Sequence, residues 1–438
     1  MLKRAVLIIC CLWLTITLCG CDFITADTAE LLSPPTLSGD IKPIAEVIKN
    51  TAPSGHIMKY PSRGDYRSAV IREDIDADGT LEAFAFYSVT DGEVITMHLN
   101  FICNKDGVWS SVAVGQIVAA GVDKVEFSDL DGDGVEEIIV GWQIYGTSEM
   151  QLGVYSMSDK ALTQRMLQKY NHFTACDLDS DSRNEIFVIK LSATEANTAS
   201  LYSLNENGVT ELSSCMIDKT ANTVGEPRID TLSTGKPAVY IDVIKGVGAV
   251  TEVLFIEKGV LVNPLIDSET GETLATLRSV SFSFEDINED GILEIPVQMD
   301  VPSVAHSDFN EKLYLTNWCS FNGETLTNQM TTMINVNDGY YFTLSSKWVG
   351  NIAILKDTTN RIREIYLYNP KRMTVGSSIL YLRAIKKKEW ESGKYRDDGF
   401  TEIMESENDV FVCKISAEGK KQGLDMQYVQ SNFVLLKN

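Results

Sequence analysis

Short runs of β-branched and aromatic residues recur along the chain, and each begins directly after a polar, acidic turn. The clearest runs are residues 83–87, 138–142 and 186–189. Runs of this length and composition, bounded by turn residues, are typical of β-strands. Around the second turn the sequence offers four strand candidates, which are residues 124–128, 137–145, 150–156 and 162–169. The pattern therefore predicts units of about four short strands each.

The acidic turns are copies of one nine-residue motif. It reads DIDADGTLE from Asp74, DLDGDGVEE from Asp129, DLDSDSRNE from Asp177 and DINEDGILE from Asp286. The interval before the fourth copy is close to double the others, which predicts one more copy within it. The segment DTLSTGKPA, from Asp230, fills that place but keeps only the first Asp and the Gly.

Four-stranded units that repeat at this period are typical of β-propellers, which arrange such units radially as blades. The sequence is therefore predicted to be mainly β, with a β-propeller of about five four-stranded blades over residues 44–336. A short helix is predicted at residues 44–50, where the chain enters the first unit.

The pattern changes from residue 337 onward. Strand-like stretches at residues 352–355, 364–368, 379–385 and 410–415 are followed by a helix-like stretch, 424–432, and a last strand, 433–436. This order predicts a small α+β domain over residues 337–438. Its GYYFTLSSKW segment, the later residues 388–390 and the final helix resemble PsbP-like domains appended to bacterial surface proteins.

The charge distribution supports a boundary near residue 337. The 438-residue chain has 61 Asp and Glu against 38 Lys and Arg, a net charge of −23. From residue 337 onward it has 16 basic and 13 acidic residues, so the acidic excess precedes that point. Such an acidic chain is not expected to bind nucleic acid. The lysines at 386–388 are interpreted either as a solvated strand edge or as a contact with anionic lipid or wall polymer.

The acidic motif has the composition of a cation site. Carboxylates at positions 1, 3, 5 and 9 of a tight turn repel one another unless a cation lies among them. Oxygen-only ligands in a flexible loop favour Ca²⁺ over Mg²⁺. An EF-hand begins in the same way but needs a Glu at position 12, where this chain has Ala85, Val140, Val188 and Val297. The alternative is a set of solvated acidic turns.

The sequence DxDxDGxxE followed by a β run resembles the FG-GAP or VCBS repeat, the calcium loop of integrin-type β-propellers. In that family the side chains at positions 1, 3, 5 and 9 and the carbonyl at position 7 bind Ca²⁺. The resemblance implies four sites here: Asp74, Asp76, Asp78, Thr80 and Glu82; Asp129, Asp131, Asp133, Val135 and Glu137; Asp177, Asp179, Asp181, Arg183 and Glu185; Asp286, Asn288, Asp290, Ile292 and Glu294, with Thr80, Val135, Arg183 and Ile292 acting through their carbonyls.

Two copies depart from the motif. Ser182 replaces the loop glycine of the third copy, which implies a strained turn and a weaker site. The copy at Asp230 has lost the other acidic ligands and is expected to hold no ion.

The N-terminus has the pattern of a secretion signal. Two basic residues, Lys3 and Arg4, precede an apolar run over residues 5–18. A membrane-spanning helix needs about 20 apolar residues, so this run is too short to form one. The following LCGC segment resembles the bacterial lipobox, which implies a signal peptide over residues 1–20 and lipidation at Cys21. Residues 21–43 lack periodicity and are predicted to be a tether. An ordinary signal peptide is the alternative.

The sequence contains no recognisable catalytic motif. The four histidines show no metal-ligand spacing, and neither a GxSxG segment nor a phosphate-binding loop is present. The five cysteines after Cys21 lie far apart, so a disulfide framework is not expected. Trp109, Trp142 and Trp318 could line a sugar-binding surface, but core packing is the favoured interpretation.

The chain is therefore predicted to be a membrane-anchored, extracytoplasmic bacterial lipoprotein, not an enzyme. It would be a calcium-stabilised scaffold that binds a protein or carbohydrate partner of the cell envelope. A surface polysaccharide hydrolase or lyase with a propeller-face active site is the alternative. A third hypothesis is a sensor of a small ligand in which the calcium loops are relics.

Overall fold

The computed structural model describes residues 41–146, 149–158, 161–206, 208–246, 248–279, 282–304, 313–395 and 398–436. The predicted signal peptide, the predicted lipidation residue Cys21 and nearly all of the predicted tether lie outside these ranges. Across the described ranges, no helix has the length and apolar character needed to span a membrane.

The protein is mainly β and consists of consecutive antiparallel sheets. The first sheet contains β1 (Ile57–Met58), β2 (Val70–Glu73), β3 (Glu82–Asp91), β4 (Val94–Lys105) and β5 (Val108–Val118). The second contains β6 (Gly121–Ser128), β7 (Glu137–Gln143), β8 (Met150–Ser158) and β9 (Ala161–Tyr170). The third contains β10 (His172–Cys176), β11 (Glu185–Lys190), β12 (Thr198–Asn205) and β13 (Gly208–Met216).

The fourth sheet contains β14 (Thr223–Val224), β15 (Arg228–Thr231), β16 (Pro237–Lys245), β17 (Gly248–Glu257) and β18 (Val260–Val262), and a small hairpin follows it, β19 (Ile266–Asp267) and β20 (Glu272–Thr273). The fifth contains β21 (Ile295–Val301), β22 (Leu313–Phe321), β23 (Leu326–Asn335), β24 (Tyr340–Leu344) and the last strand, β30 (Phe433–Leu435). The sixth contains β25 (Ile352–Asp357), β26 (Ile362–Asn369), β27 (Thr374–Lys386), β28 (Thr401–Glu405) and β29 (Asp409–Ile415). The helices are α1 (Lys42–Thr51), α2 (Lys387–Glu391), α3 (Ala417–Lys421) and α4 (Met426–Asn432).

Alternate residues of the central strands pack against different neighbouring sheets. In β7, Ile138 and Val140 belong to the core shared with the first sheet, whereas Ile139 belongs to the core shared with the third. In β11, Val188 faces the second sheet and Phe187 faces the fourth. Because successive side chains of a strand point to opposite faces, each sheet is buried on both sides and the sheets stack in chain order.

Both ends of this series are covered by other segments of the chain. Ile44 and Ile48 of α1 pack on Ala83 and Ala85, the outer face of the first sheet. At the other end, the segment with Trp390, Tyr395 and Phe400 packs on Ile385, Val410 and Val412 of the sixth sheet. Within the described ranges, no hydrophobic core joins the first sheet to the sixth.

The fifth sheet extends across the boundary predicted at residues 336 and 337. The turn that contains these residues connects β23 to β24, and the two strands pair from Asn335↔Tyr340 to Thr331↔Leu344. The C-terminal strand β30 then pairs with β24. One core between the fifth and sixth sheets includes Leu315 and Met333 from one side of the boundary and Tyr340 and Phe433 from the other.

The strand and helix positions follow the sequence pattern closely. The four strands predicted around the second acidic turn are β6 to β9, and the predicted N-terminal helix is α1. The strands and final helix predicted after residue 337 correspond to β25, β26, β27, β29, α4 and β30. Trp142 and Trp318 are buried in the cores, and Trp109 packs against the α1 side of the first sheet. No disulfide forms among the described cysteines, which are Cys103, Cys176, Cys215, Cys319 and Cys413.

Candidate metal centres

The acidic motifs occupy equivalent places in their sheets. The first three connect β2 to β3, β6 to β7 and β10 to β11, and the two strands of each pair are antiparallel neighbours in one sheet. The fourth precedes β21 and is closed by a β-bridge between Glu285 and Glu294. Each motif begins where a strand ends and finishes on the first residue of the next strand or bridge, so the sequence repeat produces one recurring strand-to-strand loop.

The Asp at position 1 organises the loop by accepting backbone hydrogen bonds. Asp74 Oδ1 accepts from Asp78 N at 3.1 Å, and its Oδ2 accepts from Gly79 N at 3.0 Å. Asp177 and Asp286 accept from the same two positions of their loops, at 2.8–3.1 Å. Asp129 differs slightly, because its Oδ1 accepts from Gly132 N at 2.7 Å. The carboxylate at position 1 thus satisfies backbone donors that the turn leaves without partners.

The Asp at position 5 folds back onto position 7 in every loop. Its Oδ1 accepts from the backbone N–H of Thr80 at 2.7 Å, Val135 at 2.8 Å, Arg183 at 2.8 Å and Ile292 at 2.9 Å. Position 7 is therefore held within the turn in all four copies. The role of its carbonyl as a ligand stays a prediction.

The Glu at position 9 is buried in all four loops. Glu82, Glu137, Glu185 and Glu294 are 0–6% exposed, and Oε2 of each accepts from the backbone N–H of position 2 at 3.0–3.3 Å. Burial, together with the charges of the neighbouring Asp residues, raises the pKa of each of these carboxyl groups to about 7. A carboxylate in such a place needs a positive partner to remain charged at neutral pH.

The acidic side chains converge as a cation site requires. In each of the first three loops, one oxygen from each of three carboxylates lies within 4.8 Å of the others: Asp74, Asp76 and Asp78; Asp129, Asp131 and Glu137; Asp177, Asp179 and Glu185. Oxygen atoms that share a Ca²⁺ ion at 2.3–2.6 Å are at most about 5 Å apart. The donor set and its spacing therefore fit Ca²⁺.

The fourth loop has an amide in place of one acid. Asn288 Nδ2 donates to Asp290 Oδ2 at 2.9 Å and to Glu294 Oε1 at 3.4 Å. Its Oδ1 accepts from Asp290 N at 3.0 Å, as the Asp does at this position in the other loops. The Asn288 amide thus forms hydrogen bonds with both acids. Because Asn288 replaces an Asp, this loop has one negative charge fewer at positions 1, 3, 5 and 9 than the other three loops.

Position 6 requires a left-handed backbone. Gly79, Gly134 and Gly291 have φ of 86–88°. Ser182 occupies the same position with φ of 72°, a region that costs a residue with a Cβ atom about 1–2 kcal/mol. The third loop therefore contains the strain that the substitution predicts, while the weaker binding expected from it stays a prediction.

The degenerate copy forms a different turn. Leu232 N donates to Lys236 O at 2.8 Å, which closes a tight hairpin between β15 and β16. Ala238 is fully buried at the position where the other loops have Glu. The Asp230 carboxylate forms an ion pair with Arg228 instead, with Oδ2 at 3.3 Å from Nη2. No acidic cluster forms among the described residues of this turn. That it holds no ion stays a prediction.

The first three loops lie side by side on one edge of the molecule. Glu136 N donates to Ile75 O at 2.7 Å, which joins the second loop to the first. Asn184 Nδ2 donates to Ser128 Oγ at 2.9 Å, which joins the third loop to the strand before the second. A change in one loop can therefore reach the next through direct contacts.

A second polar cluster, which the sequence does not reveal, joins the segment before β2 to the second sheet and to the segment before β15. Arg63 binds Asp123 of the second sheet through Nε and Nη2 at 2.8–2.9 Å and donates to Glu226, just before β15 of the fourth, at 2.8 Å. Lys124 Nζ binds Glu226 at 2.7 Å, and Tyr170 donates to Asp123 at 2.5 Å. We call these five residues the Arg63 network. No local motif contains them, because their partners are far apart in the chain.

Comparison of the sequence with protein families and with curated proteins finds no match. Among solved structures, an exotype rhamnogalacturonan lyase has 11% identity and a TM-score of 0.31, over 74% of this chain and 83% of the other. The periplasmic gluconolactonase of Pseudomonas aeruginosa has 10% identity and a TM-score of 0.30, over 73% and 86%. A rhamnogalacturonan lyase of Bacillus licheniformis has 12% identity and a TM-score of 0.31, over 66% and 65%. Similarities of this size do not define a family.

Proposed function

We propose that this protein is a calcium-stabilised binding or scaffold protein, exported and anchored to a bacterial membrane through lipidated Cys21. The observation that carries the proposal is the recurrence, in four sheets, of one acidic loop that ends on a buried Glu. Its partner would be a protein or a carbohydrate of the cell envelope. The resemblance to FG-GAP or VCBS repeats, quoted above, supports the calcium part of this proposal.

In these loops Ca²⁺ would have a structural role. The Asp at position 1 fixes the turn, and the Glu at position 9 begins the next strand, so a ligand bound by both would tie the turn to the sheet. Ca²⁺ would supply a double positive charge that offsets the repulsion among the acids. Binding to the folded chain alone would add to its stability in proportion to RT ln(1 + [L]/Kd).

We further propose that the sheets are blades of a β-propeller, of which five begin within residues 44–336. The support is that consecutive sheets of four or five strands pack face to face in chain order. This is the way in which propeller blades bury both of their faces. The sixth sheet, with α2 to α4, would then be the body of the α+β region that resembles PsbP-like domains.

The Arg63 network bears on the alternative of a polysaccharide hydrolase or lyase. Burial alone would raise the pKa of Glu226, but hydrogen bonds from His172 and Lys124 and the charge of Arg63 lower it to about 2. Asp123 also has a lowered pKa, despite its burial, because Arg63 and Tyr170 donate to it. General acids and bases work best with pKa values near the operating pH. The network fixes its groups in their charged forms, which favours a structural role over acid–base catalysis.

Calcium dependence can be tested on the full chain by thermal unfolding in excess EDTA and in a series of Ca²⁺ concentrations. The expected result is a melting temperature that rises with Ca²⁺ and saturates, and calorimetric titration should give up to four sites. Glu137→Gln keeps the side-chain volume but removes the charge, so it should reduce the Ca²⁺-induced rise. Asp230→Asn, in the degenerate turn, is the matched control and should leave that rise unchanged.

Two controls separate loss of calcium binding from loss of folding. In EDTA, Glu137→Gln should melt at or above the temperature of the unaltered protein, because a neutral amide is easier to bury than a carboxylate. Equal melting curves of the unaltered protein in EDTA and in Ca²⁺ would contradict the proposal.

A further inference from the structure

A cavity of about 330 Å³ lies between the fifth and sixth sheets, away from the acidic loops. Its fifth-sheet side includes Gln298, Thr316 and Asn335, and its sixth-sheet side includes Lys356 and Arg363. The volume is within the range of about 300–1,000 Å³ typical of small-molecule sites. The wall is mixed: polar groups alternate with apolar side chains from both sheets.

Arg363 is a buried cation at this cavity. It is 6% exposed, and its guanidinium donates to Ile362 O at 3.0 Å and to Asn335 Oδ1 at 3.3 Å, both uncharged acceptors. In the part of the chain that the structure describes, no carboxylate lies within 4.0 Å of Arg363. Buried charges in proteins are nearly always paired, and an exception calls for a bound partner.

Arg278, on the wall of the same cavity, shows the ordinary arrangement. It is 4% exposed, and its Nη2 binds Asp242 Oδ1 at 2.6 Å. Its other nitrogens donate to Phe282 O at 2.7 Å and to Thr251 Oγ1 at 3.0 Å. Two almost equally buried guanidinium groups thus line one cavity, and among the described residues only Arg278 has a direct ion pair.

Asp338, which shares the Asn335 amide with Arg363, is already engaged. Asp338 Oδ1 accepts from Arg361 Nε at 2.6 Å, and its Oδ2 accepts from Asn335 Nδ2 at 2.7 Å. The Asn335 amide therefore lies between the two residues: it donates a hydrogen bond to Asp338 and accepts one from Arg363. Asp338 forms its ion pair with Arg361, and the charge on Arg363 is left at the cavity.

The strand register places a second cation beside Arg363. Lys356 of β25 is directly opposite Arg363 of β26, and both side chains line the cavity. The sixth-sheet wall therefore presents basic side chains from two neighbouring strands. The arrangement is notable in a chain whose net charge is −23.

We infer that this cavity binds a small organic carboxylate of about the size of one sugar acid, such as a hexuronate. The guanidinium has further N–H groups for a carboxylate, which it can bind through two parallel hydrogen bonds. The amides of Gln298 and Asn337 can serve hydroxyl groups, and Leu313, Met333 and Ile354 provide an apolar wall. A monoanion matches the single positive charge of Arg363, whereas a phosphate dianion would bring excess charge into a buried site. This inference is independent of the calcium proposal.

The test uses the full chain in Ca²⁺-containing buffer, titrated with D-galacturonate, D-galactose or inorganic phosphate and followed by calorimetry and thermal unfolding. Galacturonate is expected to bind saturably and to raise the melting temperature, while galactose, which lacks the carboxylate, should do neither. Arg363→Gln should weaken galacturonate binding at least about tenfold, since a charge-assisted hydrogen bond is lost. Arg228→Gln, at an exposed ion pair, is the control and should bind as the unaltered protein does.

The possible results are distinct. Absence of saturable galacturonate binding to the folded protein would overturn the inference, as would equal binding by Arg363→Gln or by galactose. Binding of phosphate without galacturonate would overturn the carboxylate assignment. If Arg363→Gln fails to fold, the test uses the unaltered protein and Gln298→Ala instead, and compares the binding of galacturonate with that of galactose to each. In that case, selective galacturonate binding that is weakened by Gln298→Ala supports the site, and unselective or unchanged binding overturns it.

Discussion

Arg63 and Asp123 form a two-pronged ion pair, in which Nε and Nη2 of the arginine each lie 2.8 Å from a carboxylate oxygen of the aspartate. Arg63 comes from the segment before β2, whereas Asp123 lies in the second sheet. The Asp123 side chain is 4% exposed and the Arg63 side chain is 29% exposed. The pair therefore ties a loop to the stack of sheets through a nearly buried charge.

Removing Arg63 should destabilise the protein. Arg63→Gln leaves Asp123 buried without its counter-ion, and breaking such pairs costs about 3–5 kcal/mol when fully buried. Because Arg63 is partly exposed, a loss of about 2–3 kcal/mol is expected in the free energy of unfolding, measured with denaturant. Lys169→Gln breaks an exposed pair with Glu149 and should cost less than about 1 kcal/mol. Equal effects of the two substitutions would show that the Arg63 pair has no special weight.

The pKa of Glu226 predicts how stability responds to acid. Its pKa is lowered in the folded protein to about 2, from an ordinary value of 4.5. A carboxylate of this kind stabilises the fold above pH 4.5, and this contribution is lost as the pH falls from 4.5 towards 2. Glu226→Gln should therefore flatten the pH dependence of the unfolding free energy over that window. Glu195→Gln, at an exposed ion pair, should leave the slope as it is.

The strained turn of the third loop can be relieved by one substitution. Ser182→Gly removes the Cβ atom from a backbone with φ of 72°, so a gain of about 1 kcal/mol is expected in the unfolding free energy measured in EDTA. Gly134→Ser is the reciprocal change in the second loop, where φ is 88° and a Cβ atom would meet no neighbour within 4 Å. It should lower stability by a similar amount through backbone strain alone. A gain from both substitutions, or from neither, would contradict this account.

A fragment that ends at residue 336 should not fold as the full chain does. It lacks β24 and β30 of the fifth sheet and the whole sixth sheet, and so exposes Leu315 and Met333, which are at most 2% exposed in the full chain. Sedimentation and binding of a hydrophobic dye should reveal aggregation or exposed apolar surface. A monomeric fragment with a cooperative unfolding transition would show instead that residues 44–336 are an independent domain.

The predicted anchor can be tested in cells. Cys21→Ala should abolish incorporation of radiolabelled palmitate and release the protein from the membrane fraction, because the lipid is the proposed anchor. Cys19→Ala changes the neighbouring cysteine and should preserve both labelling and membrane association. Retention of the label by Cys21→Ala would contradict the lipoprotein assignment.

The parts of the molecule that could be predicted from the sequence are those determined by local spacing. The acids at positions 1, 3, 5 and 9 of each loop, and the apolar run after each Glu, lie in a single stretch of chain, and they indicated loops between strands. The strain at Ser182 can be predicted for the same reason, since it depends only on the position of this residue in the turn.

The features that could not be predicted depend on distant pairs. Arg63 meets Glu226 only because the fold brings the segment before β2 next to the segment before β15, and no pattern around either residue indicates the partner. Arg363 is distinctive because no described carboxylate pairs with it, which is visible only when its surroundings are assembled. The pairing of β24 with β30 likewise joins residues near both ends of the predicted α+β region.

The packing of Ile139 and Val140 against opposite neighbours places a demand on every central strand. Deleting one residue inside β7 would exchange the side chains that the second sheet offers to the first and third sheets, and so would disturb two interfaces at once. Variation in chain length can therefore be accommodated in the turns, or by gain and loss of a complete sheet, but not within the strands that carry both faces.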